Sequence, residues 1–202
     1  QLTDLHINKV NEGETESNTA LAYSYNKRLN FYPEGSSIMA VQNAMDYAAK
    51  YDQTVITGDI IDYLSDGALD MTKEYIWDED PTVLAAPGNH EFPQVVGSDE
   101  EEVLTFDERR EMLQKGWNND IDYASKLVND KVLCVVMNNA SIPEGAANYT
   151  YLEGQAEKLA NDITLARENG YIILIFQHTP ISTGNEDDTD VAPLAEGSLG
   201  DS

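Results

Sequence analysis

Seven residues of this sequence have the types and spacing of metal and proton chemistry: Asp4, His6, Asp59, Asp62, Asn89, His90 and His178. Carboxylate, imidazole and amide oxygen are hard to borderline donors, and a converging set of them suits a cluster of divalent or trivalent cations. Two residues apart on a strand, Asp4 and His6 would share a face and could reach one ion. Asp59 has two oxygens and could bridge that ion to a second, which the amide oxygen of Asn89 and the imidazole of His178 could also hold. Two cations about 3.5–4 Å apart would clamp a phosphoryl group and supply a hydroxide in line with the leaving group. His90, next to Asn89 on a turning segment, points elsewhere and is the candidate proton donor, with Asp62 placed to orient it.

The elements that must position these residues are apolar runs. Thr54-Val55-Ile56-Thr57 leads into Gly58-Asp59, and Thr82-Val83-Leu84-Ala85-Ala86 leads into Gly88-Asn89-His90-Glu91. The run 172–176 leads into Gln177-His178, and 132–137 is a further strand ending at Asn138-Asn139. Between them lie helical patterns. Ser36 or Ser37 can cap a helix with Ile38, Val41, Met45 and Ala48 or Ala49 on one face. Ser65 and Asp66 can open another that runs toward Trp77. Thr105 with Glu108 forms a capping box for a helix to about Lys115. Leu152, Ala156, Leu159, Ile163 and Ala166 form the stripe of a last helix, which Gly170 closes. Residues 8–35 are polar and show no sustained period, so they read as a long loop, and so do residues 92–102 with the solvated charge run at 99–102. Tyr23, Tyr25, Trp77 and Trp117 read as packing or loop residues. Strands alternating with helices argue for an α/β protein, whose ligands gather beyond the carboxyl ends of the strands.

At 202 residues and 41% hydrophobic, the chain can bury a core and reads as a single domain over 1–202. Its 37 acidic residues against 12 basic ones, a formal charge of −25, would repel phosphate backbones and argue against unassisted nucleic-acid binding. Bound cations would offset that charge locally, so a small phosphorylated substrate fits. The one cysteine, Cys134, lies in an apolar run and reads as a buried small hydrophobe; it excludes an internal disulfide. No run approaches the roughly 18 apolar residues of a membrane span. The chain opens only three residues before Asp4, so residues upstream are expected, and the lack of a visible signal peptide leaves the compartment open.

In this order, Asp4-x-His6, Gly58-Asp59-x-x-Asp62, Gly88-Asn89-His90-Glu91 and His178 resemble the motifs of the calcineurin-like metallophosphoesterases over nearly the whole chain. Each motif alone is common; the conjunction carries the resemblance, because every histidine of the chain falls on a motif position. The resemblance implies an α/β/β/α sandwich of two mixed sheets flanked by helices. It also implies two metal ions (manganese, iron or zinc), with Asp4 and His6 on the first, Asn89 and His178 on the second, and Asp59 bridging. His90 would protonate the leaving oxygen, with Asp62 beside it. The implied activity is hydrolysis of a phosphomonoester or phosphodiester. A nuclease of the superfamily and a non-catalytic metal-binding scaffold of the same fold are the alternatives. The family closes its site with a Gly-His-x-His motif that this sequence does not contain. The intact protein is therefore expected to continue past Ser202 with a further strand ending in two histidines one residue apart.

Overall fold

Val55-Ile56-Thr57 is a β-branched stretch that suits a fully buried strand, and in the computed structural model it forms β1 (Val55–Thr57). The structure describes residues 1–30, 36–95, 102–140 and 154–179. β1 pairs in parallel with β2 (Leu84–Ala86), and the opening segment runs alongside β1 through parallel bridges at Leu2–Ile56 and Ile7–Ile61. A second sheet has the order β3-β4-β5. β3 (Tyr123–Val128) is antiparallel to β4 (Val132–Met137), which is parallel to β5 (Ile172–Phe176).

Strand alternation explains how the two sheets stack. Val55, Leu84 and Ala86 on the first sheet pack with Cys134 and Val136 on the second, so Cys134 is a buried hydrophobe between the layers. The intervening residues face the other way. Ile56 and Ala85 join Val41 and Met45 of α3 (Ser36–Ala48), Ala68 and Leu69 of α4 (Asp66–Thr72), and Leu113 of α5 (Phe106–Gly116). Leu133, Val135 and Met137 pack with Ala166 and Leu159 of α6 (Gln155–Asn169). The result is a mixed α/β sandwich of two sheets flanked by helices, as expected from the sequence. No helix among the described residues is long and apolar enough to cross a membrane.

Several local expectations change. Residues 8–30 are not a loop. Within them lie a single turn, α1 (Glu14–Ser17), and the three-turn helix α2 (Thr19–Leu29), whose Asn18 side chain accepts the Leu21 N–H as its cap. Ala20, Leu21 and Ser24 are buried along α2, and a period set by so few small residues is faint in the sequence. The helix from Asp66 widens into a π-helical turn over Lys73–Trp77, where Trp77 donates to the Gly116 carbonyl and stacks edge-on against Trp117. β3 was not anticipated; its lone fully buried residue, Tyr123, gives little alternation. On α6 the expected stripe is only partly covered, since Ile163 is exposed beside the buried Ala166. The Thr105–Glu108 capping box and the left-handed Gly170 at the end of α6 form as read. Residues 31–35 and 96–101 of the two expected loops, Leu152 and all residues from 180 onward lie outside the described residues.

Candidate active site

The site forms where the opening segment, the turn after β1, the turn after β2 and the residues after β5 meet. Asp4 and His6 do come together, with Asp4 Oδ1 3.8 Å from His6 Nε2, but not by strand alternation. Both adopt left-handed backbone, φ 56° and 47°, and Asp59 does the same at 51°. Asp and His are both among the residues that tolerate this region, and the backbone N–H bond of His6 to the Asp59 carbonyl helps hold it there. Three sparsely populated conformations at three candidate ligands are the kind of strain that surrounding structure must hold in place.

At Asp59 that holding is done by Glu91. Its side chain is fully buried, and its two carboxylate oxygens accept the backbone N–H groups of Asp59, Ile60, Ile61 and Gly88. One carboxylate thus clamps the turn after β1 to the turn after β2. Burial, followed by the charge of Asp59, pushes the Glu91 carboxyl up to about 7, while the donors on Ile61 and Gly88 pull the other way. The two turns approach so closely that only glycine fits. A Cβ on Gly88, whose φ is ordinary, would lie 2.2 Å from Asp59 Oδ1 and 2.6 Å from Asp59 N. Gly88→Ala is therefore expected to force the two turns apart and displace Asp59, backbone and carboxylate together, lowering stability and lowering metal affinity at least about 10-fold. Calorimetric titration with manganese checks this.

Asp59 sits between two donor groups. Its Oδ2 is 3.8 Å from His6 Nε2 on one side, and its Oδ1 is 3.5 Å from His178 Nε2 on the other. His178 Nε2 is also 3.1 Å from Asn89 Oδ1. The structure therefore gathers Asp4, His6 and Asp59 on one side, and Asp59, Asn89 and His178 on the other. The ring tautomers follow from the opposite nitrogens. His6 Nδ1 faces Asp62 Oδ1 at 3.0 Å, and His178 Nδ1 faces the Thr57 carbonyl at 2.8 Å. Each of these is an acceptor, so each Nδ1 carries the proton, and in a neutral ring Nε2 then presents a lone pair. Ring nitrogens and oxygens thus converge on both sides of Asp59, whose Oδ1 also accepts the His90 backbone N–H. Metal–ligand bonds of about 2.0–2.2 Å place two ligands roughly 3.4 Å apart across a tetrahedral angle, close to these separations. The donor sets fit cations.

Asp62 lies beneath the first group. It is buried, and its Oδ1 serves His6 and stands 3.3 Å from His90 Nδ1, which also meets the Asp62 carbonyl oxygen at 2.8 Å. Burial alone would raise its pKa; the two imidazoles and Arg28 outweigh this and hold it down at about 2. His90 packs edge-on against His6 with ring centroids 4.8 Å apart, and its backbone N–H bonds Asp59 Oδ1. Burial pulls the His90 pKa down, but the Asp62 carboxylate, the charge of Asp59 and the Asp62 carbonyl raise it to about 9. Such a ring carries its proton at neutral pH.

Sequence reading gave no role to Glu91 beyond its place in the motif, and none to Arg28. Arg28 stands on α2, where Asn18 followed by Thr-Ala-Leu-Ala and ending in Lys27-Arg28 was the available signal: a cap, good helix formers, and cations at the carboxyl end.

The sequence model described as calcineurin-like phosphoesterase matches residues 1–196. Among solved structures the chain is similar to a dimetal phosphatase from Danio rerio, with a TM-score of 0.50 and 15% identity over 73% of this chain. It spans 62% of the length of that structure, and at such identity the likeness is one of fold. No curated protein matches the chain in sequence.

Proposed function

The chain belongs to the calcineurin-like phosphoesterase family, and on that premise we propose that it hydrolyses a small phosphomonoester or phosphodiester with two bound metal ions. The family implies metal ions and a phosphorylated substrate. The observation that supports a pair of ions is the position of Asp59, with one oxygen toward each of two donor groups. Asp4 and His6 would hold the first ion, Asn89 and His178 the second, and Asp59 would be shared. Manganese, iron and zinc all suit carboxylate, imidazole and amide donors. When bound, such cations neutralise phosphoryl oxygens and lower the pKa of water at the site.

The chain's own residues do the rest. Asp62 and the Thr57 carbonyl set the tautomers of His6 and His178, so that both Nε2 atoms face inward. His90 carries a proton that it can give to the leaving oxygen, and Asp62 orients the ring. The acidic surface disfavours a polyanion, which makes a nucleotide-sized or smaller ester the better fit than a polynucleotide.

The test is a panel of phosphate mono- and diesters assayed after metal removal and after adding back manganese, zinc or ferrous iron. Turnover that returns with metal supports the proposal. A chain that binds metal and turns over no ester would be the non-catalytic scaffold. Within that assay His90→Ala keeps near-normal metal content while kcat falls about 10²–10⁴-fold on poor leaving groups such as phenol. On nitrophenyl esters, which need little protonation, the loss is smaller. An equal loss on both classes would remove His90 from the role of acid.

A further inference from the structure

Asp62 is 1% exposed, and a buried carboxylate needs partners on both oxygens. Oδ1 serves the two imidazoles. Oδ2 faces Arg28, whose Nε lies 2.8 Å away. The contact is charge against charge, out of line for a hydrogen bond, and neither Arg28 Nε nor Asp62 Oδ2 has a hydrogen-bond partner among the described residues. Arg28 is itself only 21% exposed, so solvent screens the pair weakly. The helix that brings it is anchored to the site from the other direction. Ser24 on α2 is fully buried and donates to the Gln94 carbonyl, just past the turn that carries Asn89, His90 and Glu91.

We infer that Arg28 is a positioning residue of this site, pinning Oδ2 of Asp62 so that Oδ1 stays fixed against the Nδ1 atoms of His6 and His90. The inference rests on the reading of Asp59 and its neighbours as a metal-assisted phosphoesterase centre. The physical reason is rotational. With Oδ2 unpartnered, the Asp62 carboxylate can turn about its last torsion; His6 Nδ1 then loses its acceptor, and His90 Nδ1 keeps the Asp62 carbonyl but loses the carboxylate beside it. Because His6 lies in one donor group and His90 is the proton donor, a single arginine on a peripheral helix then governs both metal binding and leaving-group protonation. Lysine could replace its charge, but as a compact ammonium on a flexible stem that is held less firmly in place.

Arg28→Met preserves length and removes charge. In the metal-loaded full chain, kcat is expected to fall about 10–100-fold with KM within about 2-fold, as for residues that orient a ligand from behind. The deficit is larger on phenyl phosphate than on nitrophenyl phosphate. Arg28→Lys recovers part of it, and adding Arg28→Met to Asp62→Asn costs nothing beyond Asp62→Asn alone, as expected for one coupled unit. A raised KM at unchanged kcat would overturn the inference in favour of direct substrate contact; unchanged kinetics or full additivity would overturn it outright. If Arg28→Met fails to fold by circular dichroism, Arg28→Gln takes its place with the same outcomes. A second readout needs no turnover: ¹⁵N NMR of the neutral His6 ring in metal-free protein. Wild type should show one Nδ1–H tautomer and the Arg28 variant a mixture; identical spectra would overturn the inference. Should the wild-type chain hydrolyse no ester, the proposed activity fails while this spectrum still decides the role of Arg28.

Discussion

Asp59→Asn is expected to lower turnover by at least about 10³-fold, the equivalent of about 4 kcal/mol of lost charge stabilisation, and to weaken both metals together. The substitution is a clean one. Asp59 has a left-handed backbone, φ 51°, and asparagine tolerates that region as well as aspartate does. The amide oxygen can still accept the His90 N–H that now bonds Oδ1. What disappears is one negative charge and one of the two donor oxygens that face His6 on one side and His178 on the other. A shared ligand has no preference between its ions, so the loss should not be metal-selective. Metal content and kcat/KM of the purified variant check this. One position full and the other empty would show that Asp59 does not bridge.

Glu91→Gln is expected to have the largest effect on stability. The carboxylate accepts four backbone N–H groups, two on each oxygen. Glutamine turns one acceptor into an NH₂ that faces two N–H donors inside a fully buried site. Leaving buried donors unpaired costs about 1–3 kcal/mol each, so a loss of about 3–5 kcal/mol is expected. For a chain of this size that is roughly 6–20 °C in Tm. Metal affinity should fall with it, because the clamp sets the turn on which Asp59 sits. Differential scanning calorimetry of the metal-free variant gives the answer. An unchanged Tm would mean that Glu91 is a neutral acid in the fold, for which glutamine is a close mimic.

The layered α/β architecture could be read from the order of apolar runs and helical stripes; the strands within 54–57, 82–86 and 132–137 are buried, while much of 172–176 is exposed. α3, α5 and the capped end of α6 were equally readable, because Thr105, Glu108 and Gly170 carry local start and stop chemistry. β3 was not. Its hydrogen bonds come from β4, and only Tyr123 is deeply buried, so the strand exists through pairing rather than through its own pattern. α2 was hidden by a polar composition over three small buried residues, and Arg28 was hidden with it.

For the site, residue identity and spacing determined which donors stand at the ends of which runs: Asp4, His6, Asp59, Asp62, Asn89, His90 and His178. Donor chemistry is a property of the side chain, and a ligand that follows an apolar run keeps its place in any α/β sheet. Only the tertiary structure decided how those atoms are aimed. Asp4 and His6 meet through left-handed turns rather than along a strand, a conformation that their two-residue spacing does not announce. The glycines at 58 and 88 let two turns touch, and the Glu91 carboxylate locks them together from across the chain. The proton positions on His6 and His90 depend on a buried Asp62, which in turn faces an arginine from a distant helix. Orientation of this kind comes from long-range hydrogen bonds and charge pairs, whose partners are adjacent only after the chain has folded.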